Sequence, residues 1–164
     1  MDNFDLEEMA DLWIHPEYRE YYMGYKMNDQ FSSWLSETKN IRRIGIILNT
    51  DDSDEGGQHW VAVYKPTKNT LLYFDPLSGV ISTQVGRALE KTKIKPTIVS
   101  NFVQPIFSKM CGYYSMVWLS EMINQDISSV KMGEKSLLFT LWRKRKSGTG
   151  DTEFKILQAE IMNR

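Results

Sequence analysis

Apolar residues along this chain come in dense blocks, and the turn residues between the blocks mark where elements end. The first block predicts a helix over 4–14, capped by Asn3 and acidic in its opening turns, where carboxylates suit the positive end of the helix dipole. A helical or irregular region around Trp34 and Leu35 follows. "RRIGIILNT" reads as a buried strand from Arg43 to Asn49, running into the acidic loop "DDSDEGG". That loop resembles a calcium-binding string, but no bidentate Glu follows at its twelfth position, so it reads as solvated. In "HWVAVYKPTKNTLLYFD" two β-rich runs, 58–64 and 71–75, are interrupted by Pro and Asn, which predicts a hairpin with a five-residue turn from Lys65 to Asn69. Both strands are apolar on successive residues, so helices must cover both faces of their sheet. Candidate helices are 81–92, 110–124, 128–145 and 151–163, with one further strand at 96–103. The sum is an α+β domain, a small and mainly antiparallel sheet flanked by helices.

Composition narrows this picture. A chain of 164 residues, 41% hydrophobic, fits a single domain over 1–164 with a sizeable core. A formal net charge of −1 gives no global basic footprint for nucleic acid, although "WRKRK", with Arg143, Lys144, Arg145 and Lys146, is a local basic cluster. As a solvated helix end or a weak DNA contact, that cluster has two readings. The acidic start "MDNFDLEEMA" does not read as a secretory signal, and no run approaches the roughly 18 apolar residues of a membrane span. The expectation is a soluble intracellular protein without membrane contact. One cysteine, Cys111, excludes an internal disulfide and a multi-cysteine zinc site, leaving an inert buried thiol or a reactive one.

The polar residues inside the apolar blocks carry the chemistry. A five-residue turn would set Tyr64 opposite Thr70, and the same register sets His59 opposite Asp75, with β-carbons about 4.5–5.5 Å apart on one face. A carboxylate there can fix the imidazole tautomer and leave the other ring nitrogen free as a base. A slip by one residue would put Asp75 on the other face with Trp60. From these two residues alone, a structural pair and a catalytic one stand side by side. Cys111 opens a helix that is apolar nearly all round, Ser115, Ser120, Glu121 and Asn124 being the main exceptions. A thiol in the first turn faces unsatisfied N–H groups and the positive end of the dipole, which favour thiolate. Ser108 could cap that helix, and Gly112 lets a substrate backbone approach the sulfur. Gln104, held extended by Pro105, could aim its amide at an oxyanion beside Cys111, together with the Cys111 N–H.

"NT" at 49–50, "GGQHW" at 56–60, "LYFDP" at 72–76 and "VQPIFSKMCG" at 103–112 stand in the order His, acid, Gln, Cys. In these motifs the chain resembles the adenovirus-type cysteine endopeptidases (adenain-like), and more distantly the SUMO-deconjugating proteases of the same superfamily. The resemblance implies Cys111 as nucleophile, His59 as general base and later acid, Asp75 as the group orienting His59, and Gln104 as an oxyanion donor. It implies peptide hydrolysis through a thioester at Gly-containing sites, with Gly56, Gly57, Trp60 and Gly112 around the substrate and no metal or cofactor. By the same resemblance the substrates would be capsid or other virion precursors, cut inside a host cell in the cytoplasm, nucleus or viral factory, or within the virion.

Departures qualify the match. The acid is Asp, as in the SUMO-protease type, and the interval from His to acid is one residue shorter than usual. Lys93 stands about where a second cysteine would hold an activating peptide, so no disulfide-linked activator is expected. Other readings of the scaffold are a ubiquitin-like-modifier deconjugase, an acetyltransferase and a non-catalytic binding module. His15, the other histidine, precedes Pro16 and reads as a surface residue; the tyrosine-rich "EYREYYMGYKM" could line a peptide groove.

Overall fold

A computed structural model describes residues 3–50, 59–76, 81–99 and 111–127. The elements in chain order are α1 (Asn3–Trp13), β1 (Tyr22–Lys26), α2 (Phe31–Glu37), β2 (Ile44–Asn49), β3 (Trp60–Thr67), β4 (Thr70–Phe74), α3 (Thr83–Thr92), β5 (Lys95–Val99) and α4 (Cys111–Gln125). The five strands form one sheet in sequence order. Its middle is antiparallel, β2 with β3 and β3 with β4, while the outer strands run parallel to their neighbours, β1 to β2 and β4 to β5. The α+β expectation holds, and the sheet is mixed.

The successive apolar residues of the hairpin do face two covered sides. Trp60, Ala62, Tyr64, Leu72 and Phe74 pack with α1 and α4, whereas Val61, Val63, Leu71 and Tyr73 pack with α2 and α3. α4 is buried on nearly every side, as its all-round apolar sequence requires. It lies so close to the sheet that a β-carbon at Gly45 would collide with Leu119 Cδ1 and fall 2.9 Å from the Val63 carbonyl oxygen. On the other side α3 starts where Ser82 Oγ accepts the Val85 N–H and buries Val85, Ala88 and Leu89. It ends at Lys93, whose left-handed φ of 57° turns the chain into β5.

The hairpin departs from expectation at its turn. β3 continues through Lys65 and Pro66 to Thr67, so only Lys68 and Asn69 lie between the strands. Tyr64 pairs with Leu72 rather than Thr70, and a bulge between Tyr64 and Thr67 takes up one extra residue before Thr67 meets Thr70. Burial explains the error. Lys65 reads as a turn residue, but it is fully buried and its Nζ donates to the Thr38 carbonyl at 2.7 Å. Pro66 is tolerated at the bulge and its carbonyl accepts Arg42 Nε at 3.1 Å.

Two further differences are local. The strand expected from Arg43 starts at Ile44, because Arg43 itself adopts a left-handed φ of 60°. The tyrosine-rich segment forms a 3₁₀ turn at Pro16–Tyr21 and then edge strand β1. There the Arg43 guanidinium stacks 4.1 Å from the Tyr18 ring centroid and 5.1 Å from that of Tyr21. The cap expected from Asn3, the helices expected over 128–145 and 151–163, and the end of the strand expected over 96–103 fall outside the described side chains and residues. Among the described residues no helix is long and apolar enough to cross a membrane.

Candidate active site

The hairpin's open end gathers three of the polar residues singled out in the sequence. His59 immediately precedes β3, Asp75 immediately follows β4, and Cys111 is the first residue of α4. His59 and Asp75 are not the cross-strand partners expected. The observed register sits two residues away from the expected one, and because side chains alternate with period two, such a displacement leaves the facing of every side chain unchanged. The two residues meet diagonally, with His59 Nε2 2.8 Å from Asp75 Oδ1. Asp75 is 5% exposed, so this ion pair is shielded from water on its acidic side.

With Nε2 committed to Asp75, Nδ1 is the ring nitrogen left for the thiol. A hydrogen bond joins the His59 ring to Cys111, and the Trp60 N–H points at Cys111 Sγ from 3.5 Å. Burial alone would discharge His59, but the hydrogen bonds to Asp75 and Cys111 and their negative charge hold its pKa up at about 10. Burial alone would likewise push the Cys111 thiol up. The His59 hydrogen bond, the Trp60 and Gly112 N–H groups and the imidazolium charge together bring it below its ordinary value. The arrangement therefore favours an imidazolium beside a thiolate, the ionised form in which a thiol can act as a nucleophile.

Other expected site residues divide clearly. Gly112 is buried beside the sulfur and supplies an N–H to it. Trp60 is 7% exposed and packs edge-on against Tyr25 at 5.9 Å, so its ring is a wall of the core while its backbone faces the thiol. Gly56, Gly57, Gln104 and Ser108 lie outside the described residues, as do Arg143, Lys144, Arg145 and Lys146. His15 is exposed and its N–H is held by Asn124 Oδ1 at 3.0 Å, far along α4 from Cys111. Lys93 caps α3. Among the described residues no cluster of three or more His, Cys, Asp or Glu could hold a metal ion. Ser115 and Thr50, not among the expected site residues, also touch this region through the Trp60 and His59 carbonyls. Ser115 carried a signal all the same: a polar residue one turn after the cysteine in an apolar helix.

No family model matches the chain. A curated protein named "Protease" from Porcine adenovirus A serotype 3 is 30% identical over 106 residues, covering 55% of this chain and 50% of that protein. The chain thus spans about half the length of the curated relative it matches. Among solved structures, the ASFV pS273R protease superposes with a TM-score of 0.55 at 19% identity, over 82% of this chain and 61% of that one. The chain carries a viral ubiquitin-like-protease fold. The resemblance to adenovirus-type proteases, carried by four short motifs, is accompanied by sequence similarity to that protein over 55% of the chain. The central domain of the Lpg1148 protein from Legionella pneumophila shares the fold as well, with a TM-score of 0.52 at 13% identity over 100% of this chain and 98% of that one.

Proposed function

We propose that this chain is a cysteine endopeptidase that hydrolyses peptide bonds through a thioester on Cys111. The observation that carries the reading is the convergence of Cys111, His59 and Asp75 at one end of the hairpin, with a shared hydrogen-bond chain and opposed shifts of thiol and imidazole. The Cys111 thiolate attacks the scissile carbonyl carbon, a C–S bond forms, and the carbonyl oxygen becomes an oxyanion. The Cys111 N–H, with the Gln104 amide, receives that charge. His59 gives its proton to the leaving nitrogen as the C–N bond breaks, which releases the amine product. Neutral His59 then takes a proton from water, hydroxide attacks the thioester, and breaking the C–S bond returns the thiolate and the acid product. Asp75 remains a carboxylate throughout and keeps the ring in place.

The adenovirus-type resemblance supports substrates with glycine next to the cut, drawn from virion precursor proteins, and action inside an infected host cell or in the virion. The test is cleavage of Gly-Gly peptides by the wild type and by Cys111→Ala. Turnover by the wild type and none by the variant is expected; equal cleavage by both would sink the reading.

A further inference from the structure

Trp60 sits where the sheet stops and the helix takes over. In an antiparallel ladder, alternate residues of a strand turn both their N–H and their C=O to the same neighbour. The His59 carbonyl is turned to the end of β2, where it accepts the Thr50 N–H at 3.0 Å and lies 3.4 Å from Thr50 Oγ1. Trp60 therefore turns its own pair the other way, toward β4. Pairing with β4, however, ends at Ala62 and Phe74. The residue that the register would bring level with Trp60 is Pro76, which has no N–H to donate. A buried carbonyl left there without a donor would be costly.

α4 fills the gap. Ser115 Oγ donates to the Trp60 carbonyl at 3.1 Å, and Cys111 Sγ accepts the Trp60 N–H at 3.5 Å. Cys111 and Ser115 are four residues apart and so lie on one helix face, one turn above the other. The two side chains thus replace the missing strand residue, and both Trp60 backbone groups are held by one helix. Ser115 is wholly buried, so no water competes for its hydroxyl.

We infer that Ser115 is a positioning residue for the Cys111 thiolate. By holding the carbonyl of Trp60 it anchors one of the two peptide groups that flank the Trp60 Cα and so restrains the other, whose N–H is aimed at the sulfur. Thr50 steadies the same group from the opposite side, and its hydrogen bond to the His59 carbonyl polarises the Trp60 N–H toward the sulfur. The inference rests on reading Cys111 as the nucleophile, and it adds a residue that does not itself touch substrate.

The decisive measurement is the pH dependence of Cys111 alkylation by iodoacetamide, together with the thermal midpoint, for the wild type, Ser115→Ala, Ser115→Thr and Ser120→Ala. Ser115→Ala is expected to raise the apparent thiol pKa by about one unit, and so to slow alkylation about tenfold at any pH below the wild-type thiol value. Ser115→Thr keeps the hydroxyl and is expected to return toward the wild-type profile. Ser120 is a matched control on the same helix, since among the described residues its buried hydroxyl bonds within the helix, to the Met116 carbonyl at 2.7 Å. Ser120→Ala should lower the midpoint without moving the profile. A Ser115→Ala variant that loses midpoint but titrates as the wild type, as Ser120→Ala is expected to do, overturns the inference. Where Ser115→Ala does not fold, a folded Ser115→Thr variant that titrates as an unperturbed thiol overturns it. A wild type whose thiol titrates normally overturns the nucleophile reading itself, whatever Ser115 does; a wild type with a depressed thiol that cleaves no peptide removes only the protease assignment.

Discussion

The two ends of the β3–β4 hairpin are built in opposite ways. The closed end is local: Thr67 and Thr70 share a hydroxyl hydrogen bond at 2.7 Å, Thr67 Oγ1 accepts the Asn69 N–H at 3.3 Å, and all partners lie within three residues. The open end is held over long sequence distances, 16 residues between His59 and Asp75 and 51 between Trp60 and Cys111. Local bonds at an exposed turn stabilise without excluding water. The open end instead assembles charge inside the protein, where desolvation makes each hydrogen bond to an ion count for more and each loss cost more. Strands closed at one end and left apart at the other give a rigid frame with a reactive gap.

Substitutions should expose this contrast most strongly at the open end. Asp75→Asn keeps the shape but cannot hold the imidazole in its charged, oriented form, and by the behaviour of other orienting carboxylates it should lower kcat/KM by roughly 10³-fold, read with a Gly-Gly peptide. A loss below tenfold would move the orienting role elsewhere.

Titration comes next. His59 has its folded pKa raised to about 10, so its contribution to stability is complete below the ordinary imidazole value of about 6.5 and disappears as pH rises through about 10. Cys111 has its pKa lowered, so its contribution is present above the ordinary thiol value and is lost as pH falls through the lowered one. The ion pair exists between those limits. From about pH 6.5 up to the ordinary thiol value the two contributions offset each other, so wild-type thermal midpoints should fall chiefly above that value, up to about pH 10, and Asp75→Asn should flatten that alkaline slope, as followed by circular dichroism.

Gly45→Ala tests the frame rather than the gap. Its new methyl would strike Leu119 and the Val63 carbonyl, at a cost of about 1–3 kcal/mol by the usual penalty of overpacking. Urea denaturation should record that loss, while Cys111 in the folded fraction titrates almost as before. The smallest effect belongs to the closed end. Thr70→Val removes one exposed hydroxyl bond and should cost about 0.5 kcal/mol with no change in thiol reactivity.

The same contrast explains what could be read from the amino acids alone. His59, Asp75 and Cys111 were legible because charged or reactive groups stand out in apolar blocks, and because the facing of a strand residue depends only on parity. The exact pairing was not legible. Pro66 and Lys65 carry turn-like chemistry, and only burial against Thr38 and a bulge reveal them as strand. β1 stayed hidden because Gly24, with a φ of 83°, and the surrounding tyrosines give no strand period; its pairing with β2 decides it. Ser115 was visible as an oddity, but its role depends on Pro76 failing to donate an N–H 39 residues earlier in the chain.

The far end of α4 is fastened too. Arg43 Nη2 donates to the Ile123 carbonyl at 2.8 Å, and Asp126 takes Tyr64 Oη at 3.1 Å and Arg42 Nη2 at 2.7 Å. With Cys111 and Ser115 tied to Trp60 at the other end, the helix is pinned to the hairpin at both extremities. Its length is thereby a fixed dimension. Each residue adds about 1.5 Å and a rotation of about 100°, so a single insertion between the two anchorages would swing the sulfur away from the imidazole even if every side chain named above were kept.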